Sequence, residues 1–527
     1  MGRPVYYRQR IISQARSVQA KTLLNHLASE IRARREVSAE EALLIALDAM
    51  RYLDKELFIL GPGQIELPLI DGLGSHFRQP RSGQAEKLVN LTIIGDDDAL
   101  LLEEFGTRAM QQNRLARMIE EAYAKEALLD GNRLCLLLPL TLTALRERLK
   151  PLWEMGVILP LAGLTKKTRE QMTTHRPVLA IKRYLEGEEL KPVRLEMAVS
   201  KLTWNNWWQG FQETITREKE TAEALAAYTG FPEYIIKGWR EVYSALKDSA
   251  TAKERLGKIK PLNEVLPSED EEDRLRRKLL AEHGYSKAAT DLFMQELRDM
   301  AIRLKSSGRK PGQIITFGVA ADEPPGRALT EAHLQLVCLD YVTTADWAAV
   351  NRTSAVDLKW QRLARLCTQS YEQGVALSLA DLAHLLGISV DGVQKSIKKH
   401  EDVILPTRGR VADMGSTLSH SEKIIALYMD GYTETEIKRR TGHSYDSIEK
   451  YIFDFARVTC LKERGMPLNL IRQALSMSRR VVTRYLELYE RFSHPDFSFR
   501  MARIRKMVDG AGDLKKTGGN KDESWNG

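Results

Sequence analysis

ILGPGQIELPLIDG, residues 59–72, and GRKPGQIITFGVAADEP, residues 308–324, decide how this chain is read. Both strings place Pro-Gly-Gln-Ile ahead of an alternating apolar run, and a period of two marks a half-buried strand. Further matches lie outside them. Val157-Ile-Leu-Pro160 returns as Val403-Ile-Leu-Pro406, and AIKRYLEG ending at Gly187 returns as IIALYMDG ending at Gly431. Ser38 and Ser286 each precede a helical pattern. The offset is 246 from Val157 to Val403 and 244 from Gly187 to Gly431. Short matches in one order at one spacing identify a tandem duplication.

The first copy is expected near 15–250 and the second near 265–495, so that residues 1–250 form a diverged N-terminal copy. Residues 251–273 contain a linker, KPLNEVLPSEDEED (260–273), which is acidic and bears prolines. Each copy opens with helical patterns, at 12–34 and 38–57, then 274–283 and 286–305. Two strand-like runs follow, at 64–70 and 87–94, then 313–319 and 333–341. Helix fills the rest. The fold class is therefore mainly α with small β-hairpins. The second copy divides into a helical and hairpin region (274–350), a winged helix-turn-helix (351–415) and two tandem helix-turn-helix units (416–495). The end of the chain (496–527), polar and glycine-rich in DLKKTGGNKDESWNG, is expected to be disordered.

The chain has 527 residues, 43% hydrophobic and 28% charged, with a formal net charge of +8. That excess favours polyanionic partners without saying anything about fold. The four cysteines, Cys135, Cys338, Cys367 and Cys460, form no C-x-x-C pair, which argues against a zinc site and a secreted disulfide framework. They read as apolar thiols in a reducing compartment. The N-terminus is basic without an apolar core, unlike a signal peptide, and no apolar stretch reaches the length of a membrane span. A cytoplasmic, nucleoid-associated location is expected, with no membrane partner.

The helix-turn-helix reading starts at Ser421. SEKIIALYMDG is a helix stopped by Gly431, ETEIKRRTG a shorter one stopped by Gly442, and Ser444 caps a third, SYDSIEKYIFDF. A second copy follows 34 residues on, where Gly465, Ile471, Ser478, Val482 and Tyr485 answer Gly431, Ile437, Ser444, Ile448 and Tyr451. Its last helix opens with Arg479 and Arg480 and adds Arg484, at the end of a recognition helix that reaches bases and phosphates. A third copy lies 55 residues upstream in SLADLAHLLGISVDGVQKSIKKH, where Lys395, Lys398 and Lys399 make the final helix basic. Arg408-Gly-Arg410 then reads as the tip of a β-hairpin wing. The middle unit carries Arg439 and Arg440, but in its last helix Asp446, Glu449 and Asp454 offset Lys450, and it reads as a structural or dimer-type element more than a base reader.

The DNA-contact set from sequence is therefore Lys395, Lys398, Lys399, Arg408, Arg410, Arg439, Arg440, Ser444, Lys450, Ser478, Arg479, Arg480 and Arg484. The first copy loses these details. It has LLLPLTLTALRERLKPL (136–152) opposite the third unit and AVSKLTWNNWWQGF (198–211) opposite the middle one; Trp204, Trp207 and Trp208 read as core. The duplication gives the chain a built-in pseudo-dimer, and further homo-oligomers are compatible with it.

The second copy resembles the bacterial and archaeal domain-of-unknown-function family number sixteen-seventy. The residues that carry the likeness are PGQIITFGVAADEPPGRAL (311–329), QGVALSLADLAHLLGIS (373–389), LPTRGRVADMG (405–415) and the string 418–458. The resemblance implies helix-turn-helix content and, more loosely, association with mobile elements.

No phosphate-cradling G-x-x-x-x-G-K-[S/T] occurs, and no metal or organic cofactor is expected. Asp96-Asp97-Asp98 follows a strand-like run, where a metal-binding carboxylate of a recombinase or transposase would sit; the second copy offers only Asp346 there. His175 and His420 recur in register before a helix and read as caps or packing residues. The expected function is sequence-specific binding of double-stranded DNA, as a transcriptional regulator or a mobile-element accessory factor rather than an enzyme. The alternatives are metal-dependent strand cleavage through Asp96–Asp98 and a helical protein-interaction scaffold.

Overall fold

The computed structural model describes residues 3–56, 60–72, 85–257, 270–305, 308–324, 329, 332–349, 354–400, 403–411, 420–441, 445–475, 477 and 479–517. The first copy runs α1 (Arg3–Gln19), α2 (Leu23–Arg34), α3 (Ala39–Glu56), β1 (Gln64–Asp71), β2 (Glu86–Thr92), α4 (Asp98–Ala124), β3 (Ala127–Asp130), α5 (Gly131–Leu137), α6 (Leu142–Glu154) and β4 (Leu161–Ala162). It continues with α7 (Lys166–Gln171), α8 (Arg176–Leu185), α9 (Leu190–Glu196), α10 (Lys201–Thr216), α11 (Ala222–Thr229), α12 (Glu233–Leu246) and α13 (Ala250–Leu256). The second copy runs α14 (Glu271–Ala281), α15 (Lys287–Lys305), β5 (Gln313–Val319), β6 (Leu334–Asp340), α16 (Thr344–Ala349), α17 (Ala355–Glu372), α18 (Leu379–Leu385) and α19 (Val390–Lys399). Then come α20 (Arg408–Val411), α21 (His420–Met429), α22 (Glu434–Thr441), α23 (Tyr445–Glu463), α24 (Leu468–Leu475), α25 (Arg479–Phe492) and α26 (Ser498–Thr517).

The chain is mainly helical with two small sheets, of order β2-β1-β3-β4 and β5-β6. The expected hairpin strands are present within a residue or two at each end. β3 and β4, short and fully or partly buried, carry no alternating signal. Two compact units form. The first comprises Met1–Gly318, Arg327–Leu363 and Ala380–Val393, and the second Val319–Gly326, Ala364–Leu379 and Gln394–Gly527.

In the first unit the two copies exchange contacts. One apolar cluster takes in α2 and α3 from the first copy and α14 and α15 from the second. It holds equivalent positions of both copies: Leu27 and Leu275, Ile31 and Leu279, Ala49 and Leu297, Leu53 and Ala301. At the hairpins, Gly63 N donates to Ile315 O and Gly312 N donates to Glu66 O, both at 2.9 Å. Each bond is the image of the other under exchange of the copies, which is the rule of an isologous contact.

The same exchange recurs deeper. Asp98 and Asp346, both buried, close equivalent turns by accepting from Gly95 N (2.9 Å) and Thr343 N (3.0 Å). The fully buried Arg114 donates to His384 O at the end of α18 (2.7 Å), and the fully buried Arg362 donates to Leu137 O at the end of α5 (3.2 Å). Helix ends leave carbonyls unbonded and partly negative, so a guanidinium there is favourable. The Tyr341 hydroxyl lies 2.9 Å from both Leu137 O and Leu385 O, the last residues of α5 and α18.

In the second unit, α21 to α26 surround one cluster that includes Ile424, Ile437, Ile448, Ile452, Ile471, Val482 and Tyr485. Ile437, Ile448, Ile471, Val482 and Tyr485 are among the positions on which the helix-turn-helix expectation rests. Two expectations are corrected. The end of the chain does not leave the fold at residue 496: α26 runs to Thr517 and buries Met501 and Ile504 at i and i+3 in this cluster. Arg408-Gly-Arg410 is no hairpin tip but part of the helical turn α20, held by Thr407 O accepting from Arg410 N and Val411 N. The linker at 260–273 lies outside the described residues except for its last four, where Asp270 caps α14.

The first copy keeps more than its sequence suggests. α8–α9–α10 has the order of α21–α22–α23, and α11–α12 that of α24–α25. Trp204 and Trp207 are buried, and Trp239 on α12 is fully buried with its indole N–H donating to Pro177 O (3.3 Å).

Candidate nucleic-acid interface

The third helix-turn-helix reading falls on α18 and α19. Ser389 Oγ accepts from Gly392 N (3.2 Å), the bond that starts α19. Gly387, at φ +65°, makes the turn between them; a Cβ there would lie 2.9 Å from Leu138. Its carbonyl accepts from Gln111 Nε2 (2.7 Å). α18 is buried throughout the stretch Asp381–Leu385. Asp381 accepts from Lys21 Nζ at 2.7 and 2.8 Å, a buried pair that anchors the helix.

α19 differs: Val393 alone of its ten residues is buried. Lys395, Lys398 and Lys399 are exposed, and no ion pair to them is found among the described residues. Positions i, i+3 and i+4 share a helix face, so three ammonium groups project together from a capped, firmly seated helix.

The middle unit is built by a reciprocal cap. Thr433 N donates to Glu436 Oε2 (2.8 Å) while Glu436 N donates to Thr433 Oγ1 (3.3 Å), which starts α22. Its last turn exposes Lys438, Arg439 and Arg440. Lys438 lies 4.3 Å over the Tyr445 ring and Arg440 4.2 Å over Tyr432. Lys450 is exposed on α23. In the last unit Arg479 is exposed at the start of α25. Ser444, Ser478 and the Arg480 side chain lie outside the described residues.

Three residues of the sequence-derived set turn inward. Arg408 donates to Ala320 O (3.3 Å) and Glu323 O (3.4 Å). Arg410 is half-buried beside Cys367, and burial pulls its guanidinium below the ordinary value. Arg484 pairs with the buried carboxylate of Glu422 and with Glu487 (3.3 Å), tying α25 to α21. Arg408 and Arg484 thus bind groups of their own unit.

The acidic run has a similar answer. Asp98 is fully buried against Arg114 (2.7 Å) and Arg117 (2.9 and 3.0 Å). Burial opposes its charge, but the two guanidinium groups outweigh that and hold it below the usual carboxylate range. Asp97 takes Thr203 Oγ1 and Arg117. Carboxylates so matched position α4 and α10. Among the described residues no cluster of three metal-ligating side chains occurs, and no helix is long and apolar enough to cross a membrane. The four cysteines are free thiols, two of them buried. His175 precedes α8 without a capping bond and packs on Tyr234 and Tyr123 (centroids 4.3 and 5.7 Å); the His420 side chain lies outside the described residues.

Both copies therefore share one helix order, ending on α12 and α25. A family model described as a protein of unknown function, DUF1670, matches residues 77–242 and 281–488. The chain belongs to the DUF1670 family. Both matched segments end on those equivalent helices, so the DUF1670 likeness extends into the first copy, beyond the 265–495 resemblance. No curated protein and no solved structure matches the chain.

The buried arginine pair of this DUF1670 protein is legible once sought. Arg114-Leu-Ala-Arg117 returns as Arg362-Leu-Ala-Arg365, at the offset of 248 that also links Asp98 to Asp346.

Proposed function

We propose that this chain is a sequence-specific DNA-binding protein, a transcriptional regulator or mobile-element accessory factor, which grips duplex DNA with α19. The observation that carries the reading is the face of Lys395, Lys398 and Lys399, exposed and without ion pairs among the described residues, on a helix capped by Ser389 behind the Gly387 turn. Ammonium groups displace counterions from phosphates, so such a face supplies affinity that falls with salt. The exposed Arg439, Arg440, Lys450 and Arg479 supply further cationic contacts from the second unit. Arg408 and Arg484 are left out because their guanidinium groups are engaged within the fold, and Arg410 because it is half-buried beside Cys367.

The test is a salt titration of the full chain binding a duplex obtained by selection from random sequence. Replacing Lys395, Lys398 and Lys399 together with alanine lowers the slope of log affinity against log salt by about 2.7, at about 0.9 per phosphate. An unchanged slope removes α19 from the interface, and no binding even at low salt removes the function.

A further inference from the structure

The exchange of copies in the first unit is incomplete at one helix pair. At the offset of 248, α2 answers α14 and α3 answers α15, so the contact of α14 with α3 has its image where α2 faces α15. α14 is drawn onto α3 by Lys278 Nζ, which donates to Asp48 Oδ1 at 2.6 Å. The equivalent residues are Glu30 and Glu296, two carboxylates that form no such bridge. A cavity of about 220 Å³ lies between α2 and α15 instead, wholly within the first unit.

Its walls are largely apolar. Leu27 and Ile31, both buried, come from α2 and Phe293 from α15, with the exposed Leu292 beside it. The buried Tyr285 ring lies 5.9 Å from that of Phe293. Arg35, the half-buried residue that ends α2, lines the same cavity and sets its guanidinium 3.6 Å over the Tyr285 ring. The ring covers one face of the guanidinium and leaves its in-plane donors for hydrogen bonds. Nη1 is buried and has no acceptor among the described residues. The other charged groups of the cavity have neighbours of opposite character: Arg34 pairs with Glu296, and Glu30 lies 3.5 Å from His26 Nε2. A buried donor without an acceptor is costly, so an acceptor brought to Arg35 is favoured. The pair is particular to this side, because the offset places His283 opposite Arg35 and Val37 opposite Tyr285.

We infer that this cavity binds a small carboxylate with a ring-sized apolar body, its charged end on Arg35. Guanidinium and carboxylate form a charge-assisted, two-pronged pair, and the leucine, isoleucine and phenylalanine walls take the body out of water. An apolar cavity of roughly 150 Å³ accepts a benzene ring, so this one has space for a ring and a short chain. A cationic ligand would gain less, since both carboxylates of the cavity already have basic neighbours. The bound molecule touches the first copy through α2 and the second through α15, and by linkage it stabilises the fold. The inference goes beyond the DNA-binding reading and does not rest on it.

The experiment titrates the full chain with 3-phenylpropionate, followed by nuclear magnetic resonance. 3-Phenylpropan-1-ol controls for the charge and acetate for the apolar body. 3-Phenylpropionate is expected to bind one site with a Kd below about 1 mM, about tenfold or more tighter than either control, and to raise the melting temperature. R35Q removes the advantage of the acid over the alcohol while the alcohol still binds, which shows the cavity intact. A289F fills the cavity from α15 with Arg35 in place, and loses both acid and alcohol. Equal binding of acid and alcohol by the unmodified chain overturns the inference, as does acetate binding as tightly as 3-phenylpropionate. R35Q keeping the acid's advantage, or A289F binding as before, also overturns it. So does the absence of saturation by about 10 mM, tenfold beyond the expected Kd. A thermal melt verifies the fold of each variant, and the controls on the unmodified chain decide the inference even if one variant does not fold. DNA affinity is measured separately, so either reading can fail alone.

Discussion

Arg114 on α4 and Arg362 on α17, 248 positions apart, are both fully buried, and each binds the last turn of the short helix that belongs to the other copy. A buried guanidinium is tolerated where carbonyls and carboxylates meet it, and its removal leaves those acceptors unpaired. Arg114→Leu strips one of two arginines from the fully buried Asp98. A loss of about 3 kcal/mol is expected, the lower end for breaking a buried pair, because Arg117 remains. Chemical denaturation measures it, and a loss below about 1 kcal/mol rejects the clamp.

Arg484 separates structure from recognition within one helix. Its partner Glu422 is buried, so Arg484→Ala leaves a buried carboxylate without its cation. The expected cost is about 1–3 kcal/mol of stability, with DNA affinity at low temperature within about twofold of the unmodified chain. Arg479→Ala, at an exposed site on the same helix, is expected to do the reverse. Melting temperatures and binding isotherms for both variants decide it; a tenfold affinity loss in Arg484→Ala returns that residue to the interface.

Two histidines make stability depend on pH. Burial pushes His175 down to about 4, and burial together with Arg114 pushes His384 down to about 3. Both stay neutral in the folded chain while the unfolded chain takes up protons below about 6.5. Between pH 6.5 and 4 the unfolded state therefore binds more protons, and stability falls as the solution is acidified. Asp98 contributes to the slope only at the acidic edge of that window. Its folded value lies below the unfolded one, so its contribution is present above the unfolded value and is lost only in stronger acid. His175→Phe, which keeps the stacking on Tyr234, is expected to flatten the slope of unfolding free energy between pH 6.5 and 4. An unaltered slope rules His175 out as its source.

Much of this architecture is legible in the residues. Pro-Gly-Gln-Ile before an alternating run locates both hairpins, and the apolar spacing from Ile437 to Tyr485 locates the helices of the second unit. Copy exchange is not visible there, because an offset gives equivalence and not direction. The Arg-Leu-Ala-Arg repeat was available, yet arginine ordinarily reads as surface. Arg408-Gly-Arg410 misled for a local reason: a glycine between arginines suits a hairpin tip, whereas Thr407 O and the carbonyls of Ala320 and Glu323 hold a helical turn. Composition also hid α26, since Met501 and Ile504 are sparse among charged residues but sit one turn apart.

Gly63 and Gly312 carry the most exacting backbone requirement of the duplicated hairpins. Both have positive φ, +78° and +89°, and a Cβ would lie 2.2 Å from Ile94 O and Val342 O respectively. Those carbonyls belong to the chain leaving each hairpin, and Gly63 O and Gly312 O in turn accept two N–H bonds each from Ile93–Ile94 and Tyr341–Val342. A methyl group must therefore displace the backbone of its own hairpin, beside the inter-copy bond that the glycine N–H donates. Gly163 supplies the control: its φ is +85° with nothing within 4 Å of a built Cβ. Gly163→Ala is expected to cost about 1 kcal/mol from the left-handed backbone alone. Gly63→Ala and Gly312→Ala pay the same conformational strain plus the clash, at least about 2 kcal/mol each. Their double variant is expected to be less than additive, because both disrupt one contact. Equal costs at all three glycines would show that the close approach within each hairpin adds nothing to stability.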